Sequence, residues 1–201
     1  MIAIIDYDAG NLNSVENAFK SLGIEAVATR DRDLILSADR VVLPGVGAFG
    51  DAMQKLEQYN LTEVVKEAAF SGKPFLGICL GMQLLFDTSD EAPGVKGLSV
   101  LPGKIVRIPS GPGLKIPHMG WNSLKIRDGA ALFAGVKDDS FAYFVHSFYL
   151  DAADKNDVSA TAEYGITLDV SVEHGKIFGC QFHPEKSADI GLKILKNFSE
   201  L

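Results

Sequence analysis

Apolar residues follow two different rhythms along this chain. In the first half, short apolar runs at 2–6, 25–29, 40–43 and 74–78 alternate with segments of helical spacing. Val15, Ala18, Phe19 and Leu22 stand at i, i+3, i+4 and i+7, which predicts a helix over 11–22 that Gly23 stops. Residues 61–70 and 80–86 read as further helices, the second starting directly after the 74–78 run. Strands alternating with helices predict a parallel sheet covered on both faces. Sites in such sheets lie at the carboxyl ends of the strands. Asp6-Tyr7, Pro44-Gly45-Val46-Gly47 and Cys79 all fall at such ends.

The second half changes period. Residues 104–108, 123–126, 141–149, 159–163, 167–173 and 177–182 are strand-like and are joined by Gly, Pro and Asp turns. They predict antiparallel pairs added to the sheet. A closing helix over 188–201 carries Ile190, Ile194, Phe198 and Leu201 on one side. The expected class is α/β, with a mostly parallel central sheet, flanking helices and antiparallel strands in the second half. No repeat, low-complexity tract or linker interrupts it, and Ser110-Gly111-Pro112-Gly113 reads as a flexible loop. Residues 1–201 are therefore read as a single domain.

Composition narrows the classes. The chain has 201 residues, 47% hydrophobic and 22% charged, enough apolar material for a continuous core. A net charge of −7 argues against a broad nucleic-acid surface. Two cysteines are too few for a disulfide framework and point to a reducing compartment. No apolar run approaches the ~18 residues of a membrane span, and residues 2–5 form a strand rather than a signal peptide. The expectation is a soluble cytoplasmic protein.

The most informative stretch is Leu76-Gly77-Ile78-Cys79-Leu80-Gly81-Met82-Gln83. Gly-x-Cys-x-Gly after a strand is the thiol counterpart of the Gly-x-Ser-x-Gly elbow, in which the nucleophile sits on a sharp strand-to-helix turn. A helix starting at Leu80 would turn its positive end toward Cys79 and favour the thiolate. A buried structural cysteine beside a packing glycine fits the same residues, so both readings stand at this point. The candidate base is His183, which ends an apolar run and opens His183-Pro184-Glu185. Strand alternation places Phe178, Cys180 and Phe182 on one face, with Gln181 and His183 on the other. Glu185 lies where its carboxylate can meet the imidazole, as the third member of a triad does. A surface turn accounts for these three residues equally well.

Gly45-Val46-Gly47-Ala48-Phe49-Gly50 matches a dinucleotide fingerprint superficially. The next strand, however, ends in Cys79 where the ribose-binding acid belongs. His118, His146 and His174 lack metal-ligand spacing, so neither metal nor cofactor is expected. His146 reads either as lining a site or as a hydrogen-bonded structural histidine.

Taken together and in order, Pro44-Gly45-Val46-Gly47, Gly77-Ile78-Cys79-Leu80-Gly81-Met82-Gln83 and His183-Pro184-Glu185 resemble the class I, or triad, glutamine amidotransferase family. The resemblance covers essentially the whole chain. Asp6-Tyr7, Gly10-Asn11-Leu12, Glu91-Ala92-Pro93-Gly94 and Pro117-His118-Met119-Gly120-Trp121-Asn122 narrow it toward glutaminase subunits of imidazole glycerol phosphate synthases. It implies Cys79, His183 and Glu185 as the catalytic triad. It implies an oxyanion hole from Val46, Gly47 and Leu80, and contacts to L-glutamine from Gly47, Gln83, Glu91 and the backbone of Ser147 and Phe148. It implies Asn11, Met119, Trp121 and Lys186 at the interface with a cyclase subunit, a (β/α)8 barrel, in a heterodimer. Without the resemblance, Glu91 reads as a solvated carboxylate in an acidic loop and Trp121 as half-buried at a strand end. Two alternatives stay open: a glutaminase serving pyridoxal phosphate, anthranilate or aminodeoxychorismate synthesis, or a non-catalytic nucleotide-binding module.

Overall fold

In the computed structural model, which describes residues 1–201, β1 (Ile2–Ile5), α1 (Leu12–Ser21), β2 (Ala26–Thr29), α2 (Arg32–Ser37), β3 (Arg40–Gly45), α3 (Phe49–Gln58), α4 (Thr62–Phe70) and β4 (Phe75–Cys79) build the first half. There follow α5 (Leu80–Gln83), β5 (Thr88–Ser89), β6 (Gly103–Arg107), β7 (His118–Ser123) and β8 (Lys125–Ile126). The chain continues through β9 (Phe141–His146), β10 (Phe148–Ala152), β11 (Val158–Glu163), β12 (Thr167–His174) and β13 (Ile177–Cys180) to α6 (Ala188–Glu200).

The central strands β2-β1-β3-β4-β13 are mutually parallel. On the far side of β13, the strands β12, β10 and β6 extend the sheet in antiparallel fashion, with β5 at the edge. Alternation along the parallel strands divides the core. Ala3, Ile5, Val41 and Leu43 face α2, α3 and α4, while Ile2, Ile4, Val42 and Leu76 face α1 and α6. Near-continuous apolar runs are what strands buried on both faces require. The expected stripes also hold, since Val15, Ala18 and Phe19 of α1 and Ile194 and Phe198 of α6 are buried.

Three expectations need correction. The predicted 80–86 helix is only the single turn α5. The carbonyls of Leu84, Leu85, Phe86 and Asp87 accept hydrogen bonds from the returning segment 97–101, which draws the chain out of the helix. The predicted 141–149 strand breaks at Ser147: β9 pairs with β7 in a separate two-stranded sheet, and β10 joins the main sheet. Trp121, read without the resemblance as lying at a strand end, lies inside β7. There His118 is buried while Met119 and Trp121 on the opposite face are exposed.

Cys180, which pairs with Ile78 across β13 and β4, is fully buried in the α1–α6 side of the core. Cys180→Ala is expected to destabilise the fold by about 1 kcal/mol without affecting the chemistry at Cys79. Denaturant unfolding together with a glutamine hydrolysis assay checks this. A well-folded but inactive variant would contradict the strand register.

Candidate active site

β4 is held by β3 on one edge and β13 on the other, so its carboxyl end is fixed from both sides. At that end Cys79 adopts φ 55 and ψ −114, a strained backbone for a residue with a side chain. The turn is possible because α5 packs directly against the neighbouring strand ends. A Cβ on Gly81 would stand 1.8 Å from the Leu43 carbonyl oxygen, and one on Gly77 2.7 Å from the Met82 Cα. Both glycines of the motif are thus required by close approach. Tyr7, just beyond β1, donates its hydroxyl to the Pro44 carbonyl at 2.8 Å and holds the β3 end against the elbow. Burial, and after it Cys79, pushes the Tyr7 phenol pKa up.

His183 follows β13 and is nearly inaccessible to solvent. Its N–H donates to the Tyr143 carbonyl at 3.0 Å, and its own carbonyl accepts from the Ser187 hydroxyl at 2.6 Å. Nδ1 donates to Glu185 Oε1 at 2.8 Å, and Nε2 has no hydrogen-bond partner. Burial alone lowers the imidazole pKa. The Cys79 sulfur and the Glu185 carboxylate oppose it and win, so the pKa is pushed up from 6.5 to about 10. The pair is buried on both sides, with side-chain exposures of 3% and 1%, which excludes the surface-turn reading.

Cys79 and His183 line one cavity of about 250 Å³ with Val46, Gly47, Leu80, Gln83, Glu91, Ser147 and Phe148. All the residues assigned to the oxyanion hole and to substrate contact are therefore brought together. Glu185 stands behind His183 and does not line the cavity. Gly47 has φ +98, and Val46 is 42% exposed at the mouth. Glu91 is not the free carboxylate of an acidic loop, because Oε2 accepts the Phe49 N–H at the start of α3, at 2.8 Å. Gln83 donates to the Phe148 carbonyl at 3.2 Å and to Gln181 Oε1 at 2.8 Å. Gln181 in turn donates to the Cys79 sulfur at 3.6 Å.

Gln181 was legible only as a neighbour of His183 on the same strand face. Pro117, which opens the Pro117–Asn122 motif, and Val145 also line the cavity, and the sequence assigned neither to the site. His146 does both things the sequence left open: it lines the cavity and bonds the Phe148 carbonyl at 2.9 Å. Of the four residues assigned to a partner surface, Met119 and Trp121 are 63% and 53% exposed. Lys186 is exposed beside the His183 turn, and Asn11 is half-buried at the start of α1.

The raised pKa of His183 makes a signed prediction. A protonated imidazole stabilised in the folded state contributes fully below pH 6.5, and the contribution disappears as pH climbs through about 10. The difference in Tm between the wild type and His183→Gln should be largest at pH 6 and shrink toward pH 10. A difference that grows across this window would contradict the assignment.

The glutamine amidotransferase class-I family model matches residues 3–200. A protein of Methanothermobacter thermautotrophicus named imidazole glycerol phosphate synthase subunit HisH is 51% identical, over 100% of this chain and 98% of its own. Proteins of the same name from Moorella thermoacetica and Bacillus cereus are 50% and 52% identical, over 100% and 98% of this chain and 94% and 93% of theirs. A crystal structure described as a glutamine amidotransferase superposes with a TM-score of 0.76 at 21% identity, covering 99% of this chain and all of the other. A glutamine amidotransferase from Thermotoga maritima gives 0.64 at 21% identity, over 99% of this chain and 82% of the other. An elbow thiol, a buried histidine–carboxylate pair and a family match from end to end agree: the chain belongs to the class-I glutamine amidotransferases.

Proposed function

We propose that residues 1–201 form a single amidotransferase domain acting as the glutaminase subunit of an imidazole glycerol phosphate synthase in histidine biosynthesis. The observation that carries this reading is the elbow cysteine facing a buried His183–Glu185 pair in a chain about half identical to HisH proteins over its full length. A cavity of about 250 Å³ lies just below the ~300–1,000 Å³ of drug-sized ligand sites, which suits a single amino acid.

Cys79 passes its thiol proton to His183 and attacks the side-chain amide carbon of L-glutamine. The tetrahedral oxyanion is met by the Leu80 N–H, the first of α5 and so without a partner inside the helix, and by a backbone N–H of the Val46-Gly47 loop. His183, held as imidazolium by Glu185, gives its proton to the departing nitrogen, and ammonia leaves a thioester. His183, now neutral, takes a proton from water as it attacks. Glutamate is released, and glutamine plus water has become glutamate plus ammonia. Gln83, Glu91 and the Ser147–Phe148 backbone hold the amino-acid end of the substrate. Glu91 offers the anion that an α-ammonium needs.

Ammonia must reach the next reaction unprotonated, so the thiol's product passes to a cyclase subunit, a (β/α)8 barrel, without entering bulk water. The docking face proposed for it is the outward side of the β7–β9 sheet. Met119 and Trp121 alternate there, Trp121 packs edge-on against Tyr143 with ring centroids 6.0 Å apart, and Phe141 is 56% exposed. Lys186 and Asn11 are proposed to contact the same partner. Two unbonded cysteines suit a reducing cytoplasm.

Cys79→Ala is expected to abolish glutamine hydrolysis while the complex still uses added ammonium salts. His183→Asn should cost far more activity than Glu185→Gln, because the histidine moves protons and the carboxylate orients it. Steady-state ammonia release reads both, and glutaminase activity surviving in Cys79→Ala would overturn the nucleophile.

Control is proposed at the Val46-Gly47 loop. Cyclase binding, and ligand at the cyclase site, turns a loop peptide so that its N–H meets the oxyanion. One missing donor of this kind costs about 10²–10³-fold in rate. The free chain should therefore be slow and the ligand-bound complex fast. Equal turnover in the free chain, the complex and the liganded complex would rule the mechanism out.

A further inference from the structure

We infer that His118 is a positioning residue for the glutamine pocket: by donating to His146 it fixes the ring through which His146 holds the Phe148 carbonyl. The inference rests on the glutaminase reading for what the pocket binds, and on hydrogen-bond chemistry for the rest.

A carbonyl only accepts, so His146 Nδ1, 2.9 Å from the Phe148 oxygen, carries the proton. Burial holds both histidines near a pKa of about 4 and therefore neutral. His146 Nε2 is then a bare acceptor. His118 Nδ1 lies 2.8 Å from it and must be the donor. That leaves His118 Nε2 bare, with the Asn122 amide facing it at 3.4 Å while donating to the Glu163 carbonyl at 2.9 Å. The His118 ring is fixed by stacking on Tyr164 and Phe144, with centroids 4.0 and 4.9 Å away. No third ligating side chain completes a metal site around the pair.

The far end of this chain of bonds is the substrate cavity. The Phe148 oxygen accepts from His146 on one side and from Gln83 on the other, and Gln83 leads through Gln181 to the Cys79 sulfur. If His118 did not donate, His146 Nε2 would be a buried acceptor with no partner, and a turn of the ring toward another donor would release the Phe148 oxygen. The Phe148 oxygen would then keep only its bond from Gln83, and the Ser147–Phe148 backbone would shift. His118 sits on β7, whose other face carries Met119 and Trp121. One strand thus presents the proposed docking residues outward and the pocket's support inward. No atom of His118 lines the cavity, so its effect passes through His146.

His118→Phe keeps the stacked ring and removes the donor. His118→Asn keeps an amide N–H near the position of Nδ1. In the complex with the cyclase subunit, His118→Phe is expected to raise the KM for glutamine about 10-fold, the effect of about one lost hydrogen bond, with kcat within about twofold. His118→Asn should return KM close to the wild-type value. Nitrogen-15 imidazole shifts of the wild type should show His146 neutral and protonated on Nδ1 at pH 7, and His118→Phe should move the bare Nε2 signal toward that of an imidazole nitrogen that accepts no bond. An unchanged KM in His118→Phe, an equal rise in both variants, or a wild-type His146 protonated on Nε2 overturns the proposal. The wild-type spectrum needs no variant, so it decides the tautomer even where His118→Phe does not fold. Absence of glutamine hydrolysis by the wild-type complex would instead count against the glutaminase reading, which the tautomer measurement does not depend on.

Discussion

The backbone of Cys79, at φ 55 and ψ −114, costs about 1–3 kcal/mol relative to a relaxed strand. It persists because everything around it is determined more strongly. β4 is paired along both edges, Gly81 lies against the Leu43 carbonyl, and Tyr7 ties the end of β3 into the same junction. These contacts leave no room for α5 to relax away from the sheet. The strain lifts the sulfur out of the strand into the cavity and exposes the first N–H groups of α5 beside it. Because α5 is a single turn, the local N–H groups matter here more than the dipole of a long helix.

Much of this was legible in the sequence because the signals were local. The parallel half follows from apolar runs of strand length separated by helical stripes, and the elbow from two glycines spaced around one cysteine. The proposed triad partner was legible only as a candidate, since nothing in residues 177–185 states that β13 lies next to β4. The parallel pairing of Ile177 with Phe75 supplies that. The separate β7–β9 sheet was not legible at all. In His118-Met119-Gly120-Trp121-Asn122 the inward positions are a histidine, a glycine and an asparagine, so alternation carries no apolar signal. Those inward groups form a polar network, and sequence periodicity detects only apolar faces.

Glu91 shows a related failure. Three acidic residues lie within 87–91, and exposure is the ordinary state of such a run. Here the backbone N–H at the start of α3 captures one carboxylate oxygen and turns the residue toward the cavity. A bond to a main-chain group more than forty positions away leaves no trace in composition or spacing. Gln83 and Gln181 are similar: their carboxamides are oriented by each other, by the Phe148 carbonyl and by the Cys79 sulfur, all distant in sequence.

The position of β13 in the sheet has a consequence for synthesis on the ribosome. The thiol emerges early, but the histidine proposed as its base follows a strand that must insert between β4 and β12, the latter itself made late in the chain. At translation speeds of about 5–20 residues per second, the nascent protein carries Cys79 for several seconds with no histidine beside it. The elbow has only one of its two flanking strands during that interval. In a partly made chain Cys79 and His183 are therefore apart, and they meet only when the final strand docks.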